Sequence, residues 1–154
     1  VTLAQNTLIL KNQTVLTYLW VDVYAAAFYT KADVSPRAAL ADDQSKRLEL
    51  YYFREIDRND VIKAAWVTLE RQHDAQTLDG LRKDIDALHE QFQSIRPGDR
   101  YALVFSPSMG LSLERNGETL FTRNSTALAN AYLGIWLAPE GLSDSLRNSL
   151  LAGS

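Results

Sequence analysis

The chain has 154 residues, 46% of them hydrophobic and 23% charged, with a net charge of −3 and no cysteine. That length is one ordinary domain, large enough to bury a core without a disulfide or metal staple. The absence of cysteine excludes a thiol nucleophile, a cysteine zinc site and a disulfide framework, and the scattered charges argue against a nucleic-acid surface.

Thr7 to Lys11 reads as a first strand ending at the polar turn Asn12-Gln13. Thr14 to Thr30 is rich in Val, Tyr, Trp and Phe and reads as one long second strand. Its length calls for a bend or bulge, expected near Ala25-Ala26-Ala27. Alternation puts Tyr18, Trp20, Asp22, Tyr24 and Ala26 on one face, and Leu19, Val21, Val23, Ala25 and Ala27 on the other. Both faces are largely apolar, so both are expected to be covered.

Ser35-Pro36 opens a short helix through Ala41, with Ser as cap and Pro in the first turn. Lys46 to Phe53 alternates again, with Leu48, Leu50 and Tyr52 opposite Arg47, Glu49, Tyr51 and Phe53. Asn59 is read as the cap of a helix to Gln72, with Ile62, Trp66 and Leu69 at helical spacing. Thr77 is read as the cap of a helix to Gln93, on which Leu78, Leu81, Ile85, Leu88 and Phe92 form one stripe. Arg96-Pro97-Gly98-Asp99 is a turn. Tyr101 to Ser106 and Leu111 to Arg115 are strands, and Asn116-Gly117 turns the chain into a return strand over Glu118 to Arg123. Thr126 to Leu137 is a helix with Leu128, Tyr132, Ile135 and Trp136 inward. The last helix, Ser143 to Leu151, turns Leu146, Leu150 and Leu151 inward, and Gly153 follows its end. Strands, helices, strands, helices in that order imply an α+β domain with an antiparallel sheet.

No segment reaches the ~18 apolar residues of a membrane span; the longest, Leu19 to Tyr29, is interrupted by Asp22. Phosphate-cradling glycine loops and the Gly-x-Ser-x-Gly elbow are missing. His73 and His89 stand on different predicted helices, lack metal-ligand spacing and are expected on solvent-facing surfaces. Asp22 is the residue that stands out, because a carboxylate among Tyr18, Trp20 and Tyr24 must be paired if buried. It is either a site residue or one half of a structural pair with an arginine or a tyrosine hydroxyl. Arg47, Tyr51, Phe53 and Arg54 repeat that aromatic and charged mixture. Such walls suit an amphipathic ligand, a fatty acid or a phenolic, and they equally suit an ordinary sheet–helix core.

Four segments in order resemble the chalcone isomerase-like family. They are Val23-Tyr24-Ala25-Ala26-Ala27-Phe28-Tyr29; Arg47-Leu48-Glu49-Leu50-Tyr51-Tyr52; Gly98-Asp99-Arg100 with Met109-Gly110 and Asn116-Gly117; and Gly134-Ile135-Trp136-Leu137-Ala138-Pro139 followed by Leu146-Arg147-Asn148-Ser149-Leu150-Leu151. The resemblance implies an open-faced sandwich, a large antiparallel β-sheet packed against a layer of α-helices, in one domain. It is closest to the family's secreted bacterial branch, which goes with a periplasmic or secreted location and with a leader already removed ahead of Val1.

The family's plant enzymes close a flavanone ring, guided by an arginine on the early strand pair and by threonine and tyrosine hydroxyls. Tyr24 stands where those enzymes carry the strand threonine, and Asn12 to Tyr18, where the arginine belongs, contains none. The glycine-rich turn before that arginine is missing as well. Losing a preorganised cation at a developing enolate costs roughly 100- to 1,000-fold in rate. The family's non-catalytic relatives bind fatty acids in the equivalent cleft. The expectation is therefore a binding module with Tyr18, Trp20, Asp22, Tyr24, Arg47 and Tyr51 around an apolar or amphipathic ligand, Arg47 or Lys11 meeting a carboxylate, and no cofactor, metal or nucleic acid. An intramolecular lyase of chalcone type and a structural domain with a filled core are the alternatives.

Overall fold

The computed structural model describes residues 2–3, 6–18 and 20–153, without the side chains of residues 2, 3, 6 and 18. Its strands are β1 (Thr2–Leu3), β2 (Asn6–Tyr18), β3 (Val21–Lys31), β4 (Lys46–Tyr52), β5 (Arg100–Ser106), β6 (Gly110–Arg115) and β7 (Glu118–Arg123). They form one antiparallel sheet whose spatial order is the chain order, β1 to β7. The helices are α1 (Arg58–Gln72), α2 (Ala75–His89), α3 (Thr126–Leu137) and α4 (Asp144–Leu150). An α+β open-faced sandwich is therefore the observed fold, with the antiparallel sheet that the element order implied and the layering that the family resemblance implied.

The single long strand expected over Thr14–Thr30 is instead a hairpin. Tyr18 pairs with Val21, and Trp20 takes the turn with φ +68°. Nothing at this point has turn chemistry, since positive φ is the habit of Gly, Asn and Asp and is uncommon for a bulky residue. Asn12-Gln13 is not a turn. It lies inside β2, where the register shifts between Leu10 and Asn12. The Asn12 amide donates to the Leu150 and Ala152 carbonyls, each at 2.8 Å, and so ties the end of α4 to the sheet. An irregularity is found close to Ala25-Ala26-Ala27: the pairing passes from Leu16 with Tyr24 to Thr17 with Asp22, so Val23 of β3 is the extra residue, while Lys11 is the extra residue of the shift on β2.

One sheet face is packed by the helices. Tyr24, Ala26 and Phe28 of β3, Leu48, Leu50 and Tyr52 of β4, Tyr101, Leu103 and Phe105 of β5, and Leu111 and Leu113 of β6 all join the buried core. The expectation that both faces of the early strand are covered is not met, because Val23, Ala25, Ala27 and Tyr29 alternate as half-buried residues. On that second face Arg47 bonds Glu114 at 3.1 Å and Glu49 at 3.5 Å, and Arg100 approaches Glu49 at 3.8 Å.

Carboxylates cap the two middle helices. Asp57 accepts from the Asn59 amide and Asp74 from the Thr77 amide, so α1 and α2 start earlier than the caps read at Asn59 and Thr77. Carboxylates serve best there because they satisfy orphan amides and meet the positive helix end. Ser35 accepts from the Ala38 amide, but only a short 3-10 turn, Ala38–Leu40, follows. Helix α2 ends at His89 rather than Gln93, though Phe92 remains in the core.

His89 corrects the reading that both histidines face solvent, being only 3% exposed. Its ring contacts those of Trp66, Phe92 and Tyr132. Burial pushes its pKa down to about 4. The unfolded chain then binds one more proton than the folded chain between that value and the ordinary ~6.5, so stability falls as pH falls through this window. Denaturant titrations from pH 7 to pH 4 are expected to show a loss on the order of 2 kcal/mol, much reduced in His89→Gln. A second expectation concerns the β5–β6 turn. Gly110 has φ +81°, and a Cβ there would lie 2.3 Å from the Arg123 carbonyl oxygen. Gly110→Ala should destabilise by about 2–3 kcal/mol in urea unfolding, whereas Gly80→Ala, which meets nothing within 4 Å, should not.

Candidate ligand-binding site

Between the sheet and the helices lies a cavity of about 750 Å³, within the range of small-molecule sites. Its floor is the helix-facing side of β3, β4 and β5, contributing Tyr24, Leu48, Leu50, Tyr52, Tyr101 and Leu103. Its roof is α1 through Val61, Ala64 and Ala65, and α3 through Tyr132, Ile135 and Trp136. The small side chains of α1 keep the roof from filling the space. Arg54 and Asp60 are the charged lining residues, and both are exposed, which marks the mouth.

The polar groups of the inner wall are tyrosines, and their hydroxyls are already engaged as acceptors. The Trp136 indole N–H donates to Tyr24 Oη at 2.9 Å. The Gln93 amide N–H approaches Tyr101 Oη at 3.4 Å. His89 Nε2 lies 2.9 Å from Tyr132 Oη, while its Nδ1 is buried and without a partner. A buried orphan N–H is costlier than a bare lone pair, so the network assigns the proton to Nε2, donating to Tyr132. An indole N–H cannot accept, and an amide N–H cannot either. Tyr24, Tyr101 and Tyr132 therefore each keep an O–H proton to offer elsewhere, and all three line one cavity.

These hydroxyls stay protonated. Burial pushes the Tyr24 pKa up to about 12 and that of Tyr132 higher still. Tyr52, whose ring is 5.0 Å from that of Tyr24, is likewise raised well above its ordinary value by burial. The inner wall is thus neutral and apolar with hydrogen-bond donors. It can hold a hydrocarbon or aromatic body and bond an acceptor oxygen. Among the described residues no cluster suited to a metal ion occurs.

Of the six residues singled out from sequence, Tyr24 lines the cavity. The Tyr18 side chain lies outside the described residues. Trp20 is 98% exposed at the hairpin turn. Asp22 is exposed and accepts from the Thr17 hydroxyl at 2.9 Å, so it is neither buried among rings nor paired with an arginine. Arg47 and Tyr51 sit on the opposite sheet face, the first in its glutamate network and the second 5.7 Å from the Phe53 ring. Lys11 bonds the Ala32 and Val34 carbonyls and lines no part of the cavity. Arg54, part of the aromatic and charged mixture noted in the sequence, lines the mouth, and the residues the reading missed are Tyr52, Tyr101, Tyr132 and Trp136. Tyr132 and Trp136 read as inward helix positions, Tyr52 as a member of the Leu48 and Leu50 face and Tyr101 only as the start of a strand, and their amphipathic rings are the available signal.

No characterised protein in the curated collections matches the chain by sequence. Among solved structures, the crystal structure of an Arabidopsis thaliana fatty-acid binding protein is similar. It shares 17% sequence identity and superposes with a TM-score of 0.63 over 94% of this chain and 84% of that one, a likeness of fold. The model of the chalcone isomerase-like family matches residues 1–152, and the chain belongs to that family.

Proposed function

We propose that the protein is a non-catalytic binder of a small apolar or amphipathic molecule, a fatty acid or a phenolic. In this reading the apolar body lies along Leu48, Leu50, Leu103 and Ile135, and an acceptor oxygen of the ligand meets the tyrosine hydroxyls. The observation that carries it is that three tyrosines, each with a hydroxyl bonded to a neighbouring N–H, line one largely apolar cavity. That the structural neighbour is a fatty-acid binding protein supports the ligand class. Against catalysis stands the lack, among the described residues that line this cavity, of a buried cation. The lining arginine, Arg54, is at the exposed mouth, and a developing enolate deeper in would lack the preorganised positive charge such chemistry uses.

Mass spectrometry of the purified protein, first native and then denatured, is expected to release a discrete fatty acid or phenolic. In thermal-shift titrations of delipidated protein, palmitate or a simple chalcone should raise the melting temperature by mass action. Tyr24→Phe and Tyr132→Phe should each weaken binding roughly threefold to tenfold, the worth of one hydrogen bond. The reading fails if exhaustive extraction yields no ligand and neither compound class shifts the melting temperature. Turnover of the chalcone that is lost in Tyr24→Phe would replace it with the isomerase.

A further inference from the structure

A second cavity, of about 240 Å³, lies on another face of α3 and shares no lining residue with the first. Leu40, Leu133, Leu137 and Ala138 give it apolar walls. Into it faces Lys46, the first residue of β4 and only 3% exposed. The alternation of β4 places this lysine on the helix side, in the same row as Leu48, Leu50 and Tyr52. Its Nζ donates to the Ala41 carbonyl at 3.2 Å and stands 5.0 Å from the centroid of the Phe105 ring. A charged amine in such surroundings is disfavoured by desolvation. Burial pushes the pKa of Lys46 down to about 8, even though Asp42 and Asp43 hold the proton on. From the packed elements, Asn130 of α3 bonds Asp42 at 2.8 Å, and Arg147 of α4 lines the cavity with its Nε donating to the Leu137 carbonyl.

A lysine desolvated in an apolar pocket is the arrangement that turns a side-chain amine into a nucleophile toward carbonyl carbon. We propose that Lys46 is a carbonyl-reactive amine, and that the cavity around it takes a small neutral aldehyde or ketone and holds it as an imine. The step balances without any redox partner. The ammonium first gives one proton to water. The Nζ lone pair then forms the C–N bond, the C=O bond breaks, and its oxygen leaves as water with the two remaining N–H protons. Asp42 and Asp43 near Lys46 offset the Arg147 charge in the wall, so neither sign of ligand charge is favoured, and the cavity volume favours a short chain.

The remaining lysines, 11, 31, 63 and 83, are internal controls, with Lys63 and Lys83 exposed. Full-length protein is incubated with butanal and cyanoborohydride at pH 7, and the reduced adducts are located by peptide mapping. The neutral fraction of an amine titrating near 8 exceeds that of an ordinary lysine by more than roughly a hundredfold. With burial slowing access, Lys46 should still be alkylated about tenfold faster than Lys63 and Lys83. Labelling of Lys46 at or below their rate overturns the proposal. Pyrene carbaldehyde, too large for the cavity, should abolish the lead, and a lead that persists with it means the cavity selects nothing. Lys46→Arg keeps the charge and should melt like the parent while losing the fast adduct. A fast adduct that survives this change lies on another lysine and refutes the assignment. Palmitate occupying the larger cavity should leave the rate unaltered, so the result stands or falls independently of the ligand reading above.

Discussion

Helix α3 constrains everything around it. From Leu128 to Leu137 only Asn130 is exposed, and a helix that is apolar on every side must be surrounded. The sheet supplies one side, and α1, α2 and α4 supply the others, each in contact with α3. This requirement sets the layer order and forces the remaining helices to one face of the sheet. It also decides what the cavity contains, since Tyr132, Ile135 and Trp136 project from α3 into the space that α1 leaves unfilled. The indole N–H and the phenol that these positions carry would be costly in a dry core without partners. Tyr24 and His89 provide those partners, so the demands of core burial and the donor arrangement of the cavity are met by the same bonds.

The two sheet faces solve the problem of charge differently. The helix-facing side of the large cavity uses neutral donors and keeps Arg54 and Asp60 at the rim. The other face gathers Arg47, Arg100, Glu49 and Glu114 into a network centred on the buried Arg47, where each charge needs its partner to offset desolvation. Placing Arg47 there instead of in the cleft follows from one residue of register, since strand neighbours point to opposite faces.

Most of the fold was legible in the sequence because its strands and helices keep clean periods. The row Leu48, Leu50, Tyr52 and the buried set of α3 appear where alternation and helical spacing put them. What could not be read was long-range or lacked local chemistry. The β2–β3 turn has no Gly, Asn or Asp to announce it. Asn12 looks like a turn residue but is used for a bond to α4, 138 positions away. Asp57 and Asp74 outcompete Asn59 and Thr77 as caps by two and three places, a choice that local pattern alone does not settle. In the site, Tyr24 was legible from the strand pattern and from the family resemblance. Tyr101 and Tyr132 were not, since their value lies in the Gln93 and His89 donors behind them, and such pairings exist only in three dimensions.

The sheet is a meander in which every strand pairs with its sequence neighbour. The β3–β4 junction takes residues 32–45, but β4 and β5 are joined only after the chain has run through residues 53–99 and both helices between them. Closing that long loop bears the largest entropy penalty in the topology, and non-local pairings of this kind set the pace of folding. The β2–β3–β4 and β5–β6–β7 units can each assemble locally. The floor of the larger cavity, with Leu50 opposite Tyr101 and Leu48 opposite Leu103, straddles the one seam that must be closed from afar. The cavity floor therefore belongs to neither half of the sheet alone, and it is complete only where the two halves are joined.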